Sequence, residues 1–125
     1  MQKYEESYQL YELYRPFVSD SAIYFLRQCI SLAQEEGDQE ADVRCRALLA
    51  IRCSNIGLYD EALNILDSIP ISHLSNNAAL GTYYEAYNLV YGELAYYTRL
   101  DDMRTRYQQK EQHYRRFRRR CLFCR

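Results

Sequence analysis

Apolar residues recur at intervals of three and four positions along most of the chain, which is the spacing of one face of an α-helix. Tyr4, Tyr8 and Tyr11 follow this spacing in a first segment that runs from about residue 3 to 14. A second segment, from Ser19 or Asp20 to Gly37, repeats it with Ala22, Ile23, Leu26, Ile30 and Ala33. No segment alternates polar and apolar residues long enough to predict a strand. The pattern therefore predicts an all-α protein.

Helix-breaking residues divide this pattern into about six helices. Pro16 disfavours helical geometry in the residue before it, and Pro70 ends the fourth segment. Gly37 and Gly57 suit the positive φ at which many helices end. The predicted starts are Asp38 for the third helix, Tyr59 or Asp60 for the fourth, Ser72 or Ser75 for the fifth, and Asp101 with Asp102 for the sixth. Because the linkers are short, consecutive helices should fold back as antiparallel hairpins.

The central helices carry the residues from which a core is expected. The third helix is expected to turn inward Val43, Ala47, Leu48, Ala50 and Ile51, and the fifth carries a stripe of Leu80, Tyr84, Tyr87, Tyr91 and Leu94. A repeat also emerges, because "DSAIYFL" at residues 20–26 aligns with "DEALNIL" at residues 60–66, an offset of 40 residues. A third copy, "LDDMRTRY", keeps the acidic start but has Arg104 in place of the alanine.

The stretch "GLYDEA" at residues 57–62 resembles the turn and second-helix opening of a tetratricopeptide repeat (TPR). Ala50 and Ala62 match the small residues at which the two helices of such a hairpin touch, and Leu49 and Leu66 match its larger packing positions. Arg46 stands where that family usually has tryptophan, and the spacing exceeds the family's usual repeat. The resemblance implies antiparallel helical hairpins stacked as a TPR-like α-solenoid, because each hairpin exposes an apolar face that it cannot bury alone.

A second resemblance concerns "LYELYRPFVSDSAIYFLRQCISLAQEEGD" and "YYEAYNLVYGELAYYT". These segments look like the repeat segments of large Bacteroidetes regulatory proteins that join such repeats to a membrane helix and a DNA-binding domain. The resemblance implies that the chain is a piece of a sensor or scaffold. Its acidic, amphipathic first segment predicts a soluble, cytoplasmic chain as given, and the resemblance adds a periplasmic location if the chain is a fragment of a larger membrane regulator.

Charge and cysteine content narrow the function classes. The net charge of −1 predicts no overall attraction to nucleic acid, and no apolar run is long enough to span a bilayer. Cys29, Cys45 and Cys53 lie in apolar helical patterns and are interpreted as reduced core thiols. Cys121 and Cys124 have the spacing of a zinc-ligand pair, but a second pair is missing, so neither a metal site nor a cofactor is predicted. The chain has no serine elbow, phosphate-binding loop or His-Glu metal motif, and it is therefore interpreted as non-enzymatic.

Two surfaces remain as candidate binding sites. Fourteen tyrosines with no tryptophan suit half-buried grooves and interfaces. The concave groove walls of a TPR-like array would come from the first helix of each pair, so the predicted partner-binding residues are Arg46, Asn55, Tyr83, Tyr87, Asn88 and Tyr91. The main hypothesis is a protein-interaction or sensor module that binds a peptide or partner helix there, with a homodimer contact as a further option.

The alternative hypothesis rests on the basic stretch "RRFRRR". Its candidate phosphate contacts are Arg115, Arg116, Arg118, Arg119 and Arg120, in a predicted tail of residues 115–125 that follows a repeat domain of residues 1–114. A nucleic-acid-binding adaptor is disfavoured because the rest of the chain shows no basic excess.

Overall fold

The computed structural model describes residues 2–14, 19–71 and 77–123, and within them it contains six α-helices and no strand. The helices are α1 (Gln2–Tyr14), α2 (Ser19–Glu36), α3 (Gln39–Asn55), α4 (Tyr59–Asp67), α5 (Asn77–Tyr97) and α6 (Asp101–Phe123). The predicted all-α class and the helix count are confirmed. None of the described helices combines the length and the apolar character that crossing a membrane would require.

The turn between α2 and α3 is built on a glycine in the left-handed region. Gly37 has a φ of 71°, and its N–H donates to the carbonyl of Gln34 at 3.2 Å. The next N–H, of Asp38, donates to the carbonyl of Ala33 at 2.9 Å, which completes a Schellman motif. The Asp38 carboxylate then accepts from the N–H of Ala41 at 3.1 Å and caps α3. Gly37 therefore ends α2, and Asp38 starts α3.

The turn between α3 and α4 repeats this geometry. Gly57 has a φ of 87°, its N–H donates to Ser54 at 3.0 Å, and the N–H of Leu58 donates to Cys53 at 2.8 Å. Leu58 precedes α4 without a side-chain cap, and Asp60 and Glu61 place negative charge in the first turn of that helix. The predicted roles of both glycines are therefore confirmed.

The end of α4 differs from its prediction. The helix stops at Asp67, before the Ile69–Pro70 pair, because Ser68 closes the last turn. The Ser68 N–H donates to the carbonyl of Asn64 at 3.2 Å, and its hydroxyl donates to the carbonyl of Ile65 at 2.7 Å. The predicted starts of α5 at Ser72 or Ser75 lie outside the described residues.

The six helices form two layers, and the odd-numbered helices run parallel to one another in one of them. The Tyr4 hydroxyl of α1 lies 3.5 Å from Cys45 Sγ of α3, and farther along the same pair Arg52 lies 5.9 Å from the ring centre of Tyr11. Helix α3 also packs directly on α5, where the Ser54 hydroxyl donates to Glu93 at 3.2 Å. Helices α2, α4 and α6 pack as the second members of the hairpins.

The core forms around α3, which contacts α2, α4 and α5. Val43, Ala47 and Ala50 are buried as predicted, whereas Leu48 and Ile51 are only half-buried. On α5 the predicted stripe packs against the core, with Tyr87 buried and Tyr84, Tyr91 and Leu94 half-buried against it, and Leu80 is also half-buried. The buried line of α5 is Ala79, Tyr83, Ala86, Tyr87 and Val90. This line differs from the predicted stripe because α5 packs against α3 and α4 on one side and against α6 on the other.

Candidate functional site

Helix α3 presents one face that lies between α1 and α5 and is not fully covered by either. Arg44, Leu48, Ile51 and Asn55 follow each other at intervals of four, three and four residues, which places them on one side of the helix. The first three are half-buried and Asn55 is exposed. We call the surface formed by this face and its neighbours on α1 and α5 the odd-helix groove.

A cavity of ≈ 230 Å³ opens at the end of the odd-helix groove where α3 and α5 begin. Arg44 is its central cation, and its Nη2 group donates to the Tyr4 hydroxyl at 3.0 Å while its guanidinium lies 5.2 Å from the ring centre of Tyr8. The Nε group of Arg44 is buried and has no hydrogen-bond partner in the described structure. The cavity is lined by Tyr4, Asp38, Glu40, Ala41, Arg44, Ala78 and Ala79.

A buried polar chain continues from Arg44 into the core. The Tyr4 hydroxyl that accepts from Arg44 also contacts the thiol of Cys45. Hydrogen bonding from Cys29, ahead of that from Tyr4 and the charge of Arg44, lowers the pKa of the Cys45 thiol, although burial opposes this shift. Burial, followed by the bond to Cys45, raises the pKa of Tyr4 above its ordinary value. Tyr4 therefore stays protonated and holds the guanidinium at the cavity wall.

A second, larger opening of ≈ 390 Å³ lies near the other end of α5, between that helix and α6. Ala78 of the first cavity and Leu89 and Tyr96 of the second share one face of α5, since they are separated by eleven and then seven residues. The two openings are therefore spaced by up to ~27 Å along a single helix face. We call the second opening the Glu93 pocket, lined by Asn88, Leu89, Gly92, Glu93, Tyr96, Tyr97, Glu111 and Arg115.

Gly92 forms the floor of the Glu93 pocket. A Cβ atom at this position would lie 3.4 Å from the carboxylate carbon of Glu111, so the carboxylate of Glu111 packs directly over the glycine. Glu111 is further held by its backbone carbonyl, which accepts from Asn88 Nδ2 at 2.8 Å, and by a 2.8 Å ion pair with Arg115. The charges of Glu111 and Arg115 therefore balance each other within the pocket wall.

The predicted partner-binding residues separate into three groups in the structure. Asn55 is exposed at the end of α3 and lies on the groove face. Arg46 lies two positions from Arg44, about 200° around the helix, and pairs with Asp42 at 2.8 Å. The remaining four are in the interior of the α5–α6 hairpin, where Tyr83, Tyr87 and Asn88 are buried and Tyr91 is half-buried, but Asn88 also lines the Glu93 pocket.

The α5 tyrosines stack against aromatic residues of α6. Tyr87 and Tyr114 lie with ring centres 4.3 Å apart and planes 9° from parallel, and Tyr84 stacks on Phe117 at 5.0 Å. The Tyr87 hydroxyl donates to the carboxylate of Asp67. Burial, followed by this bond, raises the pKa of Tyr87, and burial raises that of Tyr114 to about 12. Most of these tyrosine rings of α5 therefore pack against α6.

Sequence reasoning missed Leu89, Glu93 and Tyr96, which line the Glu93 pocket together with the predicted Asn88. The available signal was their i, i+4 and i+7 spacing on the face of α5 that does not carry the tyrosine stripe. Leu89 is 41% exposed and Tyr96 is 79% exposed.

The basic stretch is part of α6, which runs without a break from Asp101 to Phe123. The domain boundary predicted at residue 115 therefore falls within a helix. Arg115 pairs with Glu111, and Arg118 approaches Glu85 at 4.0 Å. Arg116 and Arg119 are exposed, without an acidic partner among the described residues, while Arg120 lies 5.8 Å from the ring centre of Phe117.

Cysteines do not form a metal site in the part of the chain that the structure describes. Cys29, Cys45 and Cys53 are buried and free. No group of three or more His, Cys, Asp or Glu residues lies close enough to hold a metal ion within that part. Cys124 and the side chain of Cys121 lie outside the described residues.

Stacked antiparallel hairpins, parallel odd helices and a groove between them define a helical repeat protein of the α-solenoid type. The family described as the SusR N-terminal TPR domain matches residues 1–119, and the chain belongs to this family. This confirms the resemblance to TPR proteins and to the Bacteroidetes regulators. No curated protein and no solved structure matches the chain. TPR domains generally bind protein partners or act as scaffolds, and they are generally non-enzymatic.

Proposed function

We propose that this domain binds a peptide or a partner helix along the odd-helix groove, as an interaction module of a sensor or scaffold. The observation that carries the proposal is the pair of openings on a single face of α5, one beside Arg44 and the other beside Glu93. An elongated ligand that follows this face would reach both openings. A compact ligand would occupy only one of them.

The chemistry of the groove supports a polypeptide ligand. Leu48 and Ile51 offer half-buried apolar surface on α3, and Leu89 offers exposed apolar surface on α5. Arg44 contributes a half-buried guanidinium, and Asn55 contributes an exposed amide. Protein-recognition grooves combine apolar pockets with a few polar groups that fix the orientation of the ligand, and this surface has that mixture.

The experiment uses a displayed library of short random peptides selected on the purified protein. Dissociation constants of the selected peptides are then measured for two variants, Leu89→Asp and Leu58→Asp. Both leucines are exposed, at 41% and 50%, but Leu89 lines the Glu93 pocket whereas Leu58 lies in the α3–α4 turn. We expect Leu89→Asp to weaken binding at least about tenfold and Leu58→Asp to leave it unchanged.

The proposal fails if the library yields no peptide that binds the folded protein. It also fails if Leu58→Asp weakens binding as much as Leu89→Asp, since the binding surface would then include the hairpin turn. A homodimer is a separate proposal, and it is tested by sedimentation at increasing protein concentration.

Exposed Arg116 and Arg119 support nucleic-acid binding as a second candidate function. This candidate predicts that single-stranded oligonucleotides bind with an affinity that falls steeply with salt. Removing residues 114–125 would be an ambiguous test, because Tyr114 stacks on Tyr87 and its loss would disturb the fold. Arg116→Glu with Arg119→Glu avoids this problem. Unchanged oligonucleotide binding by the double variant would exclude these arginines as the contact.

A further inference from the structure

Glu93 is a half-buried carboxylate that forms no ion pair with any residue the structure describes. Its Oε2 atom accepts from the Ser54 hydroxyl at 3.2 Å. This neutral donor on α3 orients the carboxylate without neutralising its charge. A partly desolvated charge in this situation gains from an added cation.

The surroundings of Glu93 suit a cation with an apolar stem. Tyr96 is 79% exposed and Tyr97 is 64% exposed, with ring centres 4.9 Å apart and nearly perpendicular planes. Aromatic faces attract ammonium and guanidinium groups, and the methylene stems of Lys and Arg pack on apolar surface such as that of Leu89.

The charges that line the Glu93 pocket also favour a positively charged ligand group. Its three charged lining residues are Glu93, Glu111 and Arg115, and the last two pair with each other. One negative charge therefore remains uncompensated among the lining residues. A ligand group with a single positive charge would neutralise it, whereas a carboxylate or phosphate would meet repulsion.

We propose that the Glu93 pocket receives a lysine or arginine side chain of the partner polypeptide, with an adjacent apolar residue of the partner packed on Leu89 and Tyr96. This inference rests on the proposed function and adds the chemistry of the ligand to it. The partner is thus a basic-apolar segment. The positive group pairs with Glu93 while its stem lies against the tyrosine rings.

The test uses the peptides selected from the random library on the unchanged protein. The expected sequences are enriched in Lys or Arg next to an apolar residue. Glu93→Gln keeps the shape of the side chain and an oxygen that accepts from Ser54, so it removes the charge with little change in structure. We expect it to weaken these peptides about tenfold. The matched control is Glu61→Gln, which removes the charge of an exposed glutamate in the first turn of α4 and should leave binding unchanged.

A charge exchange separates ion pairing from a purely structural role of Glu93. Glu93→Lys should reject the basic peptides, and replacing their Lys or Arg by Glu should restore binding to that variant. Peptides that bind tightly without basic residues, and that ignore Glu93→Gln, would overturn the inference while the groove remains a peptide site. A library that yields no binder would overturn the proposed function itself, and this inference with it.

Discussion

Gly57 and Gly92 should respond differently to alanine, because the backbone at Gly57 needs glycine for its φ angle whereas the backbone at Gly92 is helical and accepts alanine. At Gly57 the φ of 87° lies in the left-handed region, and no atom lies within 4 Å of an added Cβ. The cost of Gly57→Ala is therefore purely conformational, about 1–2 kcal/mol. Reduced freedom of the unfolded chain offsets about 0.4–1 kcal/mol of it. The net loss in the free energy of unfolding is about 1 kcal/mol.

At Gly92 the backbone is helical, and alanine is favoured over glycine there by about 0.5–1 kcal/mol. The added Cβ would lie 3.4 Å from the Glu111 carboxylate, which is the far end of a flexible side chain and can move aside. The ion pair of Glu111 with Arg115 is surface-exposed and worth only a few tenths of a kcal/mol. We expect Gly92→Ala to be neutral or slightly stabilising.

Thermal unfolding followed by far-ultraviolet circular dichroism measures both effects. For a chain of 125 residues the entropy of unfolding is about 2.1 cal/mol/K per residue, so 1 kcal/mol corresponds to roughly 4 °C in Tm. Gly57→Asn is the matched control, because asparagine tolerates the left-handed region better than alanine and should lose less. A Gly57→Ala protein that melts at or above the unchanged protein would refute the assigned turn geometry.

Three further predictions follow from the packing, the cap and the buried tyrosines. Ala62→Leu should lower the free energy of unfolding by about 1–3 kcal/mol, because Ala62 is fully buried on α4, and an unchanged Tm would contradict that tight contact. Asp38→Ala should cost about 1 kcal/mol through the lost cap of α3, whereas Asp38→Asn should retain most of it, so equal losses in chemical denaturation would exclude the cap. Burial raises the pKa of Tyr8 and Tyr114 to about 12, whereas unfolded tyrosine ionises near pH ~10. The folded state therefore binds more protons between these values, stability should fall as pH rises from about 10 toward 12, and a Tm that stays constant over this interval would contradict the burial of these hydroxyls.

The helix boundaries were predictable because they depend on local chemistry. Gly37, Asp38 and Gly57 have properties that act within a few residues, namely access to positive φ and a carboxylate that caps a helix. The predicted end of α4 at Pro70 was wrong for an equally local reason, because the hydrogen bonds of Ser68 end the helix before Pro70.

The groove residues were less predictable because their exposure depends on which helices pack against which face. Tyr83 and Tyr87 look like groove residues in isolation, but α6 covers them through Tyr114 and its neighbours. Leu89 and Glu93 lie on a face of α5 outside the predicted apolar and aromatic stripe. A single sequence shows the periodicity of a helix but not how many other helices pack around it. Helix α5 packs against α3, α4 and α6.

The contacts between the odd helices agree with the repeat offset of 40 residues that the sequence shows between residues 20–26 and 60–66. Contacts between α1 and α3 join residues 40 and 41 positions apart, and the contact between Ser54 and Glu93 joins residues 39 apart. Residues about 40 positions apart in sequence therefore lie next to each other in neighbouring odd helices, so equivalent positions of successive repeats are in contact. Parallel helices in this register keep one exposed face in line from α3 to α5. In the proposed function, a ligand that follows this face would reach both Arg44 and Glu93, which belong to different hairpins, so the proposed binding surface depends on the stacking of the repeats.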